Sequence, residues 1–200
     1  MKLERKKFIN VKSTNDEAIK MIRRNKTKAT LISSLTQSNG RGTRGKKWIS
    51  KKGNIFASVY FAIDQNKINF DTYAILNPLI IKKVLEKYSK YKVYVKWPND
   101  ILIKEKKVCG ILQEVISYKN KKYLIVGIGI NTLFSIKEKN FKSICLKDCS
   151  KSIVKNDIIL NKIKKEYENF LFNLKNKKIN YFKSNFINWH EIFSWGYRKY

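Results

Sequence analysis

The segment from residue 92 to residue 130 most constrains the fold, because it predicts four strands joined by short turns. The strands are Lys92–Lys96, Ile101–Lys104, Val108–Ser117 and Tyr123–Ile130, each rich in β-branched or aromatic residues. Strands that follow one another with short loops usually pair with their sequence neighbours, and such pairs are antiparallel. The segment therefore predicts an antiparallel meander.

Further strands and several helices flank this meander. Phe8–Val11 and Thr30–Ser34 are predicted strands, and Asn54–Phe61 is apolar on both faces, which predicts a central position in the sheet. The hydrophobic spacing predicts four helices: one from the capping box Thr14–Glu17 (Thr14 as N-cap) to about Arg24, then Thr72–Lys87 containing Pro78, Asp157–Leu174 and Tyr181–Phe193. Residues 36–47 lack hydrophobic periodicity and are predicted to be a loop.

The chain has 200 residues and no internal repeat or linker, which predicts a single domain covering residues 1–200. The order of elements predicts an α+β fold, with a mixed, largely antiparallel sheet and helices packed mainly on one side. No apolar run approaches the roughly 18 residues of a membrane span, and no secretion signal is visible at the N-terminus. We therefore expect a cytoplasmic protein without a membrane partner.

The formal net charge of +29 raises the alternative of a nucleic-acid-binding protein. Lysine supplies 38 of the 44 basic residues, and the lysines are scattered over every predicted element. Scattered lysine together with abundant Asn and Ile is typical of drift toward AT-rich codons, so we do not predict specific DNA binding. Attraction to an acidic protein partner is compatible with the same charge.

The cysteine and histidine content excludes several kinds of site. Cys109, Cys145 and Cys149 form an odd set without a CxxC motif, which argues against a disulfide framework and a structural zinc site. His190 is the only histidine, so a Ser/His/Asp hydrolase is not expected. We predict no metal-ligating residues.

Residues 40–48 combine glycines with positive charge in the predicted loop. Gly40, Gly42 and Gly45 permit close approach of the backbone to a ligand. The cations are Arg41, Arg44, Lys46 and Lys47, and arginine binds phosphate or carboxylate in a bidentate manner. The spacing matches neither a Walker loop nor a dinucleotide fingerprint. The pattern indicates a mobile flap over an anionic ligand.

Lys96 lies at the end of a predicted strand, just before the rigid Trp97-Pro98 pair. This placement predicts that its amine points into a cavity floored by the sheet. Gly127 and Gly129 lie inside a strand that ends at Asn131, and glycine in a strand interior often marks close approach of a ligand.

These segments together resemble the catalytic domain of biotin–protein ligases, over about residues 8 to 135. The motifs that carry the resemblance are Ser13-Thr14-Asn15, Gln37 with Gly40-Arg41-Gly42, Lys47-Trp48, Lys96-Trp97-Pro98-Asn99-Asp100, Lys107-x-x-Gly110-Ile111-Leu112-x-Glu114 and Gly127-x-Gly129-Ile130-Asn131. They occur in the order and approximate spacing of that family. The Lys-Trp-Pro-Asn-Asp segment is the most specific of them.

The resemblance implies a two-step ligase reaction. The carboxylate of biotin attacks the α-phosphate of ATP in the presence of Mg²⁺, which gives biotinyl-5′-adenylate and pyrophosphate. A lysine of a biotin carboxyl carrier domain in a biotin-dependent carboxylase then takes the biotinyl group.

The resemblance also assigns roles to individual residues. It implies Lys96 and Arg41 as catalytic residues, with Lys96 contacting the biotin carboxylate and the phosphate. The implied substrate-binding residues are Ser13, Thr14, Asn15, Gln37, Gly40, Arg41, Gly42, Thr43, Lys96, Gly110 and Gly129. The implied ATP-binding residues are Arg44, Lys46, Trp48, Lys96 and Asn131.

The chain departs from the family pattern in three places. Thr43 stands where the family usually has arginine, which predicts a looser grip on the adenylate, with Arg44 next in the chain as a potential substitute. Only about a dozen residues precede Ser13, so we expect no N-terminal helix-turn-helix and no repressor role, hence a monofunctional enzyme. We also expect the small C-terminal β-barrel of the family to be missing or vestigial.

Two alternatives stay open beside biotin ligation. One is a lipoate or octanoate ligase of the same superfamily, which shares the lysine but not the Gly-Arg-Gly loop. The other is a degenerate protein that binds biotin without turnover. The sequence also leaves the oligomeric state open, including a homodimer.

Overall fold

The computed structural model describes residues 2–64, 68, 70–136, 142–150, 152 and 155–175. The strands are β1 (Glu4–Val11), β2 (Thr30–Gln37), β3 (Ile55–Ile63), β4 (Val93–Lys96), β5 (Asp100–Ile103), β6 (Lys106–Tyr118) and β7 (Lys121–Ile130). The α-helices are α1 (Thr14–Arg23), α2 (Phe70–Glu86) and α3 (Asn156–Lys175), and short 3₁₀ turns cover Thr43–Gly45 and Leu146–Asp148.

All seven strands form one sheet in the order β1-β2-β3-β7-β6-β5-β4. The β1–β2 pair is parallel and the other pairs are antiparallel. The predicted meander is confirmed, because β4, β5, β6 and β7 are consecutive neighbours. The predicted α+β class with a mixed, largely antiparallel sheet is confirmed as well.

The two faces of the sheet carry different helices, and β3 shows why. Its residues Ala57, Val59 and Phe61 pack into the large core beneath α2 and α3. Tyr60, which points the other way, packs with Ile22 and other residues of α1. Because β3 is buried on both faces, its continuous apolar pattern correctly predicted an interior strand. In the described residues, α2 and α3 therefore share one face and α1 covers part of the other.

An aromatic cluster fastens α2 and α3 to the sheet. The rings of Phe61, Tyr73, Tyr167 and Phe170 lie with their centroids 6.1–6.3 Å apart in tilted or edge-to-face arrangements. Burial raises the pKa of Tyr73 to about 12. Because this face of the sheet is tightly packed, the sheet is held rigid. Its opposite face, which α1 partly covers, can therefore support a ligand site.

The start of α1 corrects one prediction. Ser13, not Thr14, is the N-cap, and neither a capping side chain nor a capping box with Glu17 is formed. The backbone N–H of Thr14 instead donates to Oε1 of Gln37 at 2.8 Å. A long-range partner therefore replaces the local cap that the sequence pattern predicted.

Other predictions differ in their bounds or lie outside the description. Strand β2 extends to Gln37, and the segment that follows contains the short turn Thr43–Gly45, so the predicted loop begins two residues later. The predicted helix at 181–193 lies outside the described residues. No helix in the described part of the chain is long and apolar enough to cross a membrane. The predicted domain organisation stays a prediction.

Candidate functional site

Three glycines on neighbouring strands form a floor without Cβ atoms on the α1 face of the sheet. Gly110 on β6 and Gly129 on β7 are cross-strand partners, and Gly127 lies two residues before Gly129. A Cβ atom on Gly129 would lie 2.4 Å from the indole of Trp48, and one on Gly110 would lie 2.6 Å from it. A Cβ atom on Gly127 would lie 2.5 Å from Oδ1 of Asn15. The missing side chains therefore allow Trp48 and Asn15 to lie directly on the sheet.

A cleft of about 690 Å³ of empty space opens above this floor. The lining residues are Ser13, Thr14, Asn15, Gln37, Arg41, Gly42, Thr43, Lys46, Lys47, Trp48, Phe56, Ala57, Asn99, Lys107, Gly110, Ile111, Leu112, Gly127, Ile128 and Gly129. The structure thus brings together most of the residues predicted from the sequence.

One end of the cleft carries neutral polar groups held in a fixed network. The hydroxyl of Ser58 donates to Oδ1 of Asn15 at 2.5 Å and lies 2.8 Å from Oγ1 of Thr14. Gln37 accepts a hydrogen bond from the backbone of Thr14 and donates through Nε2 to Oγ of Ser50 at 2.9 Å. Ser58 was not predicted from the sequence. The network suits a ligand that presents neutral donors and acceptors.

The glycine-rich loop holds itself together through backbone hydrogen bonds. The N–H of Gly42 donates to the carbonyl of Lys46 at 2.7 Å, and the N–H of Trp48 donates to the carbonyl of Gly40 at 2.9 Å. Gly40 is buried and does not line the cleft. It packs against the end of the loop, since a Cβ atom on Gly40 would lie 2.5 Å from the Trp48 carbonyl oxygen. Its role is therefore to close the base of the loop.

Arg41 connects this loop to the rest of the domain. Its guanidinium pairs in a bidentate manner with Glu114 on β6, with both N···O distances 2.7 Å, and its Nη2 lies 2.9 Å from Asp16 on α1. Burial lowers the pKa of Arg41, but the hydrogen bonds and charges of Glu114 and Asp16 outweigh this effect and raise it. The positive charge of Arg41 is therefore balanced by the carboxylates of Glu114 and Asp16.

Lys107, and not Lys96, supplies a cation to the cleft. Nζ of Lys107 lies 2.8 Å from Oδ1 of Asp100 and 5.4 Å from the centre of the Trp48 ring. Lys96 is exposed at the end of the edge strand β4 and does not line the cleft. The prediction that Lys96 points into the cavity is wrong, because the cavity lies over β6 and β7.

A bulge on β6 explains how Lys107 reaches the cleft. Ile101 and Leu102 are adjacent on β5, but their partners on β6 are Cys109 and Lys107, so Val108 is an extra residue. Val108 and Cys109 are both buried in the large core. A bulge reverses the alternation of side chains along a strand, so Lys107 shares the face of Gly110.

Besides Lys96, two of the predicted ATP-binding residues do not line the cleft, namely Arg44 and Asn131. Arg44 is exposed with φ 55° and does not line the cleft, and its compensation for the arginine of the family pattern at position 43 stays a prediction. Asn131 is buried, and its Oδ1 accepts a hydrogen bond of 3.4 Å from Nδ2 of Asn54. Asn54 in turn accepts three backbone hydrogen bonds, from residues 132, 133 and 134, which makes this region a structural turn. Lys46 and Trp48 do line the cleft.

Comparison with known proteins identifies the family. Residues 7–131 match the model of the biotin/lipoate A/B protein ligase family. The chain belongs to this family. The predicted resemblance to biotin–protein ligases is confirmed by the relatives of this ligase domain.

The most informative relatives are biotin ligases. Escherichia coli BirA, a bifunctional ligase/repressor, is 32% identical over 123 residues, which is 60% of this chain and 38% of BirA. The biotin–[acetyl-CoA-carboxylase] ligase of Paracoccus denitrificans is 30% identical over 122 residues, which is 60% of this chain and 50% of that protein. The match therefore spans half or less of the length of these relatives.

A solved structure agrees over a larger share of the chain. The biotin protein ligase from Aquifex aeolicus in complex with biotin and ATP superposes with a TM-score of 0.76 and 26% identity. The superposition covers 94% of this ligase domain and 78% of the Aquifex chain. The seven-stranded sheet and its cleft are thus the architecture of a biotin protein ligase.

The side chains of the described residues show whether the protein itself could bind a metal ion. In the parts of the ligase domain that the structure describes, no group of three or more His, Cys, Asp or Glu side chains is arranged around a metal position. The three cysteines are buried and free. The described side chains thus offer no preformed cluster of carboxylates for Mg²⁺, an ion that commonly binds through substrate phosphates and water.

Proposed function

We propose that this domain activates biotin with ATP to biotinyl-5′-adenylate and transfers the biotinyl group to a lysine of a biotin carboxyl carrier domain. The observation that carries the proposal is one cleft with a neutral polar end and a cationic end. Asn15 lies over Gly127, and Trp48 with Lys107 lies over Gly129 and Gly110. Two residues along a strand span about 6.6 Å, so both ends fit one small acid.

The neutral end suits the ureido group of biotin. Thr14 and Asn15 line the cleft, and the buried hydroxyl of Ser58 fixes both of their side chains through hydrogen bonds. Fixed groups lose little conformational entropy when a ligand binds. Trp48 and the flat glycine floor offer apolar contact for the sulfur-containing ring and the alkyl chain of biotin.

The cationic end suits the carboxylate and the phosphates. In the first step, a carboxylate oxygen attacks the α-phosphorus of ATP, and the bond from that phosphorus to the bridging oxygen of pyrophosphate breaks. Two anions must approach each other, so a fixed cation lowers the barrier by offsetting their repulsion. Lys107 is placed for this role, and Lys46 and Lys47 add charge at the loop.

The second step requires no covalent enzyme intermediate. The neutral amine of the acceptor lysine attacks the carbonyl carbon of the mixed anhydride, the bond from that carbon to the phosphate oxygen breaks, and AMP leaves with its electron pair. A loop closed over the cleft slows attack by water on the anhydride.

Biotin-dependent exchange of labelled pyrophosphate into ATP tests this proposal. We expect exchange with biotin and none with lipoate or octanoate, because the relatives that this chain resembles are biotin ligases. Exchange with lipoate but not biotin would assign the chain to lipoate activation. Absence of exchange with every acid, in protein shown to be folded by circular dichroism, would indicate a degenerate binding protein.

A further inference from the structure

Glu114 lies where the glycine-rich loop, helix α1 and the sheet meet. Its two oxygens accept both hydrogen bonds from Arg41, and Oε2 also accepts a hydrogen bond of 2.7 Å from Nδ2 of Asn15. Asn15 is bound to Ser58 on β3, and Arg41 also pairs with Asp16. We call Asn15, Asp16, Arg41 and Glu114 the clasp.

The clasp is the strongest polar connection between the described part of the loop and the domain. Most other hydrogen bonds of residues 40–48 are internal to the loop. From outside the loop, Oγ1 of Thr43 accepts a long hydrogen bond of 3.4 Å from Nδ2 of Asn99. Trp48 adds an apolar contact on the glycine floor. Bidentate guanidinium–carboxylate pairs are short, directional and about twice as strong as neutral hydrogen bonds, so the position of the loop depends on this pair.

The Arg41–Glu114 ion pair is partly exposed to solvent, so it can hold the loop in place and can still break when the loop opens. The side chains of Arg41 and Glu114 are 33% and 25% exposed, so water screens the pair only in part. Asp16 makes a single contact, whereas Glu114 makes two. When the loop opens, the bond to Glu114 is therefore the main one to break.

We propose that Glu114 is a positioning residue: through Arg41, it fastens the glycine-rich loop over the cleft and sets how long the activated intermediate is retained. Arg41 then acts by its position, because two carboxylates already compensate its charge. The statement about retention rests on the proposed function. The statement about the loop does not.

Hydrogen exchange of the ligand-free protein tests the loop directly. The amides of residues 42, 46 and 48 donate within the loop, and a peptide covering residues 40–48 reports on them. Loss of a charge-assisted bidentate pair should speed their exchange about tenfold in Glu114→Gln. The matched control is Glu86→Gln, which removes a carboxylate that pairs with Lys82 at 3.2 Å on α2, outside the cleft. We expect no change in the peptide for the control.

A double-mutant cycle separates positioning from a general loss of structure. Arg41→Ala should expose the loop as much as Glu114→Gln does, and the double variant should add less than about twofold. If Glu114→Gln fails to fold, Arg41→Ala carries the test alone. Unchanged exchange in both single variants, or additive effects in the double variant, would overturn the proposal.

Retention of the intermediate gives the second readout. In protein loaded with biotin and ATP and then filtered, the half-life of bound adenylate should fall about tenfold in Glu114→Gln at an unchanged melting temperature. A half-life equal to that of wild type would overturn the retention part. If wild type forms no adenylate but Glu114→Gln still speeds hydrogen exchange of the loop, the proposed function is contradicted. The role of Glu114 in holding the loop is then still supported.

Discussion

A Cβ atom on Gly129 would lie 2.4 Å from Cε2 of Trp48, closer than the Cβ atom of a real side chain comes to a non-bonded heavy atom. The cross-strand partner Gly110 repeats the relationship, with 2.6 Å to Cζ3 of the same indole. The indole of Trp48 can therefore occupy its position in the cleft only because Gly110 and Gly129, on adjacent strands, have no side chains. Any side chain at either position must displace the indole.

Gly129→Ala should weaken biotin binding about tenfold by moving Trp48, with a stability cost of about 1–3 kcal/mol from the forced contact. Isothermal titration with biotin and thermal unfolding measure the two effects. In a Trp48→Ala background, the same substitution should change affinity little, because the clash is gone. Fully additive losses would show that Gly129 acts by another route.

Thr43→Arg should lengthen retention of the adenylate. Thr43 lines the cleft, whereas Arg44, the next residue in the chain, does not. One added charge-assisted hydrogen bond is worth about 1.5–3 kcal/mol, so the dissociation rate should fall by about tenfold or more. Rapid filtration of the loaded enzyme measures the rate. A Thr43→Arg variant that releases adenylate as fast as wild type would contradict this prediction.

Glu166 should make the free energy of unfolding of the domain depend on pH in the acidic range. Its carboxylate is buried and lies 3.2 Å from Nζ of Lys83 on α2 and 3.3 Å from Nζ of Lys162 on α3. Burial raises its pKa, but the hydrogen bonds and charges of the two lysines outweigh burial and lower it below the ordinary 4.5. Because the folded-state pKa is lowered, this stabilisation is present above pH 4.5 and is lost as the pH falls through the folded-state value.

Glu166→Gln should therefore reduce the free energy of unfolding at pH 7 by about 1–2 kcal/mol. The difference from wild type should shrink below pH 4.5. Urea unfolding at several pH values measures both, with Glu86→Gln as the matched helix-surface control. A difference that stays constant down to pH 3 would show that the ion pairs do not contribute.

The sequence predicted the strands well, because alternation and turn residues act locally. The meander and the buried character of β3 follow from patterns within about ten residues. The glycine-rich loop, Trp48 and the polar residues of α1 were also found from sequence, and the structure gathers them around one cleft.

The sequence did not predict which lysine faces the cleft. Strict alternation back from Gly110 places Lys107 on the opposite face, and only the extra residue Val108 reverses it. The bulge depends on pairing with β5, so no pattern within β6 reveals it. The pair of Arg41 and Glu114 was missed for a related reason, since 73 positions separate the two residues in the chain.

The most direct test of the central claim compares Lys107→Met with Lys96→Met in biotin-dependent pyrophosphate exchange. Methionine keeps an unbranched apolar stem, is one heavy atom shorter than lysine, and removes the charge. The structure predicts a loss of about 10²–10³-fold in rate for Lys107→Met, as for removal of a preorganised charge. For the exposed Lys96, it predicts a change of about twofold or less. Near-normal exchange in Lys107→Met together with a severe loss in Lys96→Met would contradict the account of this cleft.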